Sequence, residues 1–301
     1  MRVAAIDCGT NSIRLLVADL DGSGKADVHR EMRIVRLGQG VDRTGVLAPE
    51  ALERTRAAVV DYAATCRELE VERTRFVATS ATRDSANRDV FTALVRDALA
   101  VEPEVVSGDE EAALSFLGAT SGLEVQGPYL VMDIGGGSTE LVVGDEKVDA
   151  ACSVDVGCVR LTERHLHDDP PTAAQVAAAR ADVEAALAEA EKVVPMSQAR
   201  TAIGLAGSVT TVAALALELP SYQADRIHLS RLSAAQVREV TTRLLAMTHA
   251  ERAALPVMHP GRVDVIGGGA LVLLTAVERF GLEEVLVSEA DILDGIALSL
   301  A

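Results

Sequence analysis

AIDCGTNSIRLLVAD (residues 5–19) returns as VMDIGGGSTELVVGD (residues 131–145). Aligned without a gap, the two stretches agree at Asp7 and Asp133, Gly9 and Gly135, Ser12 and Ser138, Leu15 and Leu141, Val17 and Val143, and Asp19 and Asp145. In each, an apolar run ends on Asp, a loop of small residues follows, and a second apolar run begins, which reads as strand, loop and returning strand. Any two buried hairpins share Val, Leu and Gly, but the paired Asp and Ser exceed what that would produce. One supersecondary unit opening each half of a chain points to a duplicated domain. The copies differ where Arg14 stands at the position of Glu140.

Outward from the first copy, residues 28–37 read as a third strand after a turn at Asp21-Gly22-Ser23-Gly24, so the chain opens with an antiparallel meander. Residues 49–70 follow with helical spacing of Leu52, Ala58, Val59, Tyr62, Ala63 and Cys66, and with Pro49 near the start, where its missing N–H does no harm. Strand and helix then alternate: strands at 75–79 and 104–106, helices at 89–100 and 110–120. After the second copy come helices at 157–166 and 173–193, a strand at 201–205, helices after Gly207, Ser233 and Gly268, and a last strand and helix from Glu284. Pro170-Pro171 and residues 219–231 read as loops.

Composition supports the same class. The chain has 301 residues, 49% of them hydrophobic, which suffices for two cores. Only 2% are aromatic and none is Trp, so Ala, Val and Leu must build those cores, as in helices packed on sheets. The expected fold class is α/β, with domains at 1–124 and 125–301 and a final helix at about 290–301 packing back on the first domain. A net charge of -17 excludes broad affinity for nucleic acid or anionic membrane, which needs a basic surface. Cys8, Cys66, Cys152 and Cys158 have neither zinc spacing nor the density of a disulfide framework, and are expected to be reduced thiols. No apolar run approaches ~18 residues and no basic leader precedes residues 1–7, so a soluble, cytoplasmic protein is expected.

The loops suggest the chemistry. Small residues let backbone N–H groups curl around an anion, and Gly135, Gly136 and Gly137 offer such a nest. Asn11, Ser12, Ser138 and Thr139 add side-chain donors, and Gly207-Ser208 before a helix makes a third anion-suited turn. Phosphate is the natural guest. Asp7 and Asp133 at the strand ends would repel it without a cation or a shared proton between them; magnesium meets that need, with manganese as an alternative. Arg83, after a strand and a polar turn, suits bidentate contact with phosphate oxygens, although an ordinary surface Arg would look the same.

The paired hairpins resemble those of the actin, sugar-kinase and heat-shock ATPase superfamily, which implies two duplicated ribonuclease H-like domains with a phosphate-holding cleft between them. Residues 77–83 (VATSATR), 107–112 (SGDEEA) and 133–140 (DIGGGSTE) resemble the exopolyphosphatase and guanosine pentaphosphatase family more narrowly. Residues 7–12, 157–163 (GCVRLTE), 206–211 (AGSVTT) and 259–262 (HPGR) extend that resemblance along the whole chain. It implies Glu111 as catalytic glutamate rather than Glu110, and Asp133 and Glu140 around a metal and a water, with Asp7 also assigned to metal. The implied activity is release of orthophosphate from inorganic polyphosphate, with guanosine pentaphosphate (pppGpp) 5'-phosphohydrolysis or a non-catalytic phosphate or nucleotide sensor as alternatives. A homodimer is implied as well. Two departures accompany the match. The long C-terminal helical domain of larger members does not follow, from which a preference for short chains is expected. Leu293 stands where a Glu-Ala-x-x-Arg-x-Gly pattern supplies Arg.

Three further features have structural readings at least as strong as functional ones. His165-x-His167 precedes Asp168-Asp169-Pro170-Pro171 and reads as a polar helix end. Arg30, Arg33 and Arg36 recur on a strand, which suits either a polyanion guide or a solvated edge. Gly267-Gly268-Gly269 suits either a nucleoside pocket or close helix packing.

Overall fold

The computed structural model describes residues 1–21 and 24–301; Gly22 and Ser23 of the expected turn lie outside the described residues. The chain forms two compact units, Met1–Ser121 with Asp291–Ala301, and Gly122–Ala290.

In the first unit, β1 (Arg2–Cys8), β2 (Ser12–Asp21) and β3 (Gly24–Ile34) form the antiparallel meander. The chain then runs through α1 (Val41–Thr44) and α2 (Pro49–Glu68) to β4 (Arg73–Ala78), which lies parallel to β1. Next come α3 (Ser80–Arg83), α4 (Arg88–Leu99), β5 (Glu104–Val105) parallel to β4, and α5 (Gly108–Thr120). The sheet order is β3-β2-β1-β4-β5. Strand residues alternate between two cores, as a period of two requires. Ala4, Ile6 and Cys8 pack with Tyr62 and Phe91 on one face, while Val3 and Ala5 pack with Leu114, Ile292 and Ile296 on the other.

The second unit repeats this order. β6 (Tyr129–Ile134), β7 (Thr139–Gly144) and β8 (Val148–Val154) form a meander, followed by α6 (Cys158–His165) and α7 (Ala173–Ala190). β9 (Thr201–Leu205) runs parallel to β6 and leads into α8 (Ala206–Ala216). α9 (Ala224–Ile227), β10 (Arg231–Ser233), α10 (Ala234–Ala246), α11 (His249–Ala253) and α12 (Ile266–Arg279) precede β11 (Glu284–Val287). The order β8-β7-β6-β9-β11 reproduces that of the first sheet, with β10 added at the edge. α13 (Ile292–Leu298) then belongs to the first unit.

The hairpin repeat read from the sequence is reproduced in backbone detail. Gly9 N–H donates to Ser12 O at 3.0 Å and Gly135 N–H donates to Ser138 O at 3.0 Å. The registers match as well, with Asp7 opposite Arg14 and Asp133 opposite Glu140. Where the structure departs from the sequence reading, pairing across the chain decides. β8 forms where no element was expected, because the outer edge of β7 supplies its hydrogen-bonding partner. The expected loop at 219–231 contains α9, and Arg231 begins β10.

α5 and α13 cross at two glycines. A Cβ on Gly118 would lie 1.8 Å from Asp291 O, and one on Gly295 would lie 1.9 Å from Leu114 O, so only backbone fits at the crossing.

Candidate active site

In the first unit, the loop 9–11, the turn 79–83 and the start of α5 all follow the carboxyl ends of adjacent parallel strands, β1, β4 and β5. Open α/β sheets bind ligands at such ends. The loop is fixed from behind. Asn11 O accepts from Val35 and Arg36 N–H, Thr10 O accepts from Gly38 N–H, and the Thr10 and Ser80 hydroxyls share a buried 2.8 Å hydrogen bond. Asn11 and Ser12 stand at the tip of this loop, at the entry to β2.

Glu110 and Glu111 separate cleanly. The Ser107 hydroxyl caps α5 by accepting from Glu110 N–H, and three acids in the first turn suit the positive end of the helix dipole. Successive helical side chains diverge by about 100°. Glu110 consequently lies on the surface and pairs with Arg75 at 2.7 Å. Glu111 turns inward, is only 7% exposed, and accepts from Arg83 Nη1 at 2.9 Å. The same nitrogen donates to Val106 O at 3.0 Å, so Arg83 is tied to the backbone between β5 and α5 while it holds the carboxylate.

Asp7 is buried and accepts from Arg14 at 2.6 Å; Arg14 also pairs with Asp291. Burial pushes the Asp7 carboxyl above its ordinary range more strongly than Arg14 draws it down; burial alone would lower Arg14, but the flanking Asp291 and Asp7 carboxylates together outweigh it and raise the guanidinium above its ordinary value. The cation facing Asp7 within its own sheet is therefore a side chain.

In the second unit the equivalent pair is Asp133 and Glu140, 6% and 1% exposed. Directly opposed residues on an antiparallel pair bring their side chains close together, and like charges there are destabilising without a cation or a shared proton. Glu140 Oε1 accepts from the Ser153 hydroxyl at 2.7 Å. Gly135, Gly136 and Gly137 form the adjoining loop, whose carbonyls are drawn to the start of α6. Gly135 O accepts from Cys158 N–H, and Gly136 O accepts from Val159 and Arg160 N–H. Ser138 closes the loop, buried. A Cβ on Gly157 would come within 2.6 Å of Gly136 C and O, so that position requires glycine.

Gly207 and Ser208 lie in the first turn of α8, after Ala206, which adopts φ 68°. A side-chain carbon in this left-handed region is strained, and such strain gathers at functional turns. A Cβ on Gly207 would collide with the Arg262 guanidinium, which lies against the glycine. The local sequence around Arg262, His259-Pro260-Gly261-Arg262, announces no role for it. Its nearness to a turn some fifty residues earlier appears only when α8 and the segment before α12 are brought together. The Gly267-Gly268-Gly269 run serves packing, since Cβ atoms at Gly268 and Gly269 would strike Thr162, Cys158 and Ser208.

Among the described residues, no three His, Cys, Asp or Glu side chains gather into a protein-only metal cage. Asp133 and Glu140 nevertheless suit magnesium, which is commonly bound by one or two carboxylates and completes its shell with water and substrate phosphate. Cys8, Cys66, Cys152 and Cys158 are free thiols, and His165 is engaged with Asp182 at 2.9 Å. No helix among the described residues is long and apolar enough to cross a membrane.

Comparison with known proteins agrees with this architecture. Exopolyphosphatase 2 of Mycobacterium tuberculosis (strain ATCC 25618 / H37Rv) is 56% identical over 315 residues, spanning 100% of this chain and 98% of its own. The guanosine-5'-triphosphate,3'-diphosphate pyrophosphatase of Vibrio atlanticus (strain LGP32) is 37% identical over 172 residues, 56% of this chain and 34% of that protein. Among solved structures, an exopolyphosphatase-like protein matches with TM-score 0.97 at 44% identity, covering 100% of this chain and 97% of its own. The Aquifex aeolicus PPX-GPPA enzyme matches with TM-score 0.83 at 31% identity, covering 99% of both chains. The model of the Ppx/GppA phosphatase family matches residues 16–301. The chain belongs to the Ppx/GppA phosphatase family.

Proposed function

We propose that this protein is an exopolyphosphatase that transfers the terminal phosphoryl group of inorganic polyphosphate to water. The observation that carries the reading is Glu111, buried on α5 and held by Arg83. A fixed carboxylate of this kind accepts a proton from an attacking water. The water oxygen forms the new bond to the terminal phosphorus, the bridging P–O bond breaks, and the shortened chain leaves with the bridging oxygen. Asn11, Ser12, Gly135, Gly136, Gly137, Ser138, Gly207 and Ser208 are the proposed phosphate-holding residues, through backbone N–H and hydroxyl donors. Arg83 orients Glu111 and adds positive charge for the phosphoryl oxygens.

Asp133 and Glu140 are the proposed holders of magnesium, supported by two buried carboxylates facing each other across one strand pair. When bound, the metal neutralises charge on phosphate oxygens. Asp7 is a weaker candidate for that role, because Arg14 already supplies its counter-charge. The 56% identity to a protein named exopolyphosphatase 2 supports the choice of substrate. Hydrolysis of pppGpp is the second reading, favoured by the similarity to the Vibrio pyrophosphatase.

The test is phosphate release from polyphosphate, pppGpp and ATP by the native protein and Glu111→Gln, each with magnesium and with chelator. Loss of a general base lowers kcat by about 10²–10⁴-fold. A Glu111→Gln variant with native turnover would remove Glu111 from the mechanism. Faster release from pppGpp than from polyphosphate would select the second reading.

A further inference from the structure

Asp133, Glu140 and Ser153 occupy one row across β6, β7 and β8, each directly opposite the next. The Ser153 hydroxyl donates to Glu140 Oε1 at 2.7 Å. The equivalent row of the first unit is Asp7, Arg14 and Met32, where a guanidinium stands in the middle and an apolar side chain at the third place. The hydroxyl thus occurs in the copy whose central residue is a carboxylate.

We infer that Ser153 is a positioning residue for the proposed divalent-cation site, holding Glu140 in the orientation in which its carboxylate meets the ion. This rests on the reading of Asp133 and Glu140 as the metal holders. A glutamate has several rotatable bonds, and ordering them on binding costs free energy that a fixed hydrogen bond removes beforehand. The segment carrying Ser153 is itself anchored to the loop. The Thr139 hydroxyl donates to Val156 O at 2.6 Å, and Cys158 N–H donates to Gly135 O at 2.9 Å. A partner placed on a strand so braced transmits its own order to the carboxylate.

The experiment is a titration with Mn2+ alone, following the signal of the free aqueous ion by electron paramagnetic resonance. It compares the native protein, Ser153→Ala, Ser153→Thr and Glu140→Gln, with thermal unfolding as a check that each is folded. Loss of a partner that orients a metal ligand weakens binding by about 10-fold or more. Ser153→Ala is expected to show that loss and Ser153→Thr, which keeps the hydroxyl, to return close to the native value. In phosphate release, Ser153→Ala should need more metal for half-maximal rate while keeping most of kcat at saturating metal. Should the alanine variant unfold, Ser153→Cys, similar in size but a weak donor, is expected to give the same weakening. Native Mn2+ affinity in folded Ser153→Ala or Ser153→Cys, with affinity lost in Glu140→Gln, would overturn the role of Ser153 and leave the metal reading intact. Native affinity in Glu140→Gln would overturn the metal reading itself, and the inference with it.

Discussion

Adjacent acids with opposite fates mark the first turn of α5. Glu110 and Arg75 meet at the surface, where an exposed pair contributes little, about 0–1 kcal/mol. Glu111 is buried, and its bond to Arg83 is charge-assisted and partly shielded from water. Deleting Arg83 leaves a buried carboxylate without this donor, a loss of about 1.5–3 kcal/mol for a hydrogen bond between charged groups. Arg83→Met is therefore expected to lower both stability and phosphate release, whereas Glu110→Gln should leave both near native. Urea midpoints and initial rates on the two variants check this. Equal effects of the two substitutions would mean that the inward turn of Glu111 has no functional consequence. Gly157 makes a similar point for the backbone, because the side chain it lacks would displace Gly136.

At the scale of elements, the crossing of α5 and α13 depends on Gly118 and Gly295, where backbone meets backbone. A methyl group there has no space, and overpacking of a close contact costs about 1–3 kcal/mol or more. Gly118→Ala should lower the urea midpoint, and unchanged stability would show that the crossing relaxes freely. Charge seats the same helix: Asp294 is held by Arg30 at 2.6 Å and Lys25 at 3.0 Å. Burial raises its carboxyl, but Arg30 and Lys25 outweigh that and leave it below the ordinary carboxylate range. The folded state thus favours the ionised form. Its contribution is present above the unfolded value, about pH 4, and is lost as pH falls through the lower folded value. Asp294→Asn should be less stable at neutral pH and lose less stability on acidification, a difference that unfolding curves from neutral to about pH 2 would reveal. These elements also mark the limits of reading the sequence. The repeated Asp, Gly and Ser of the hairpins were legible because the same local geometry demands them twice. The seat of Arg262 on Gly207 and the reach of Arg14 to Asp291 were not, because each joins residues far apart in the chain that no local pattern announces. Leu293, conspicuous in the sequence as a missing Arg, is simply buried apolar surface, and the charges that seat α13 come from Asp291 and Asp294 instead.

For the molecule as a whole, a net charge of -17 must accommodate a polyanionic substrate. Proteins that gather polyanions on a basic surface release counterions on binding and weaken as salt rises. The arginines of β3 do not supply such a surface. Arg30 is engaged by Asp27 and Asp294, and Arg33 by Glu31 and Asp61. In the proposed site, attraction comes from short-range partners, the loop N–H groups, Arg83 and the bound metal, acting against a long-range field of the wrong sign. Salt screens that field while leaving close contacts largely intact: the Debye length shortens from about 20 Å near 20 mM to about 8 Å near 150 mM. At fixed free magnesium, kcat/KM for polyphosphate is therefore expected to rise with sodium chloride over that range, chiefly through a lower KM. Initial-rate measurements against ionic strength decide the matter. A steady fall with salt would instead reveal a basic track for the substrate that outweighs the acidic whole, and would remove the local loops from their place as the source of affinity.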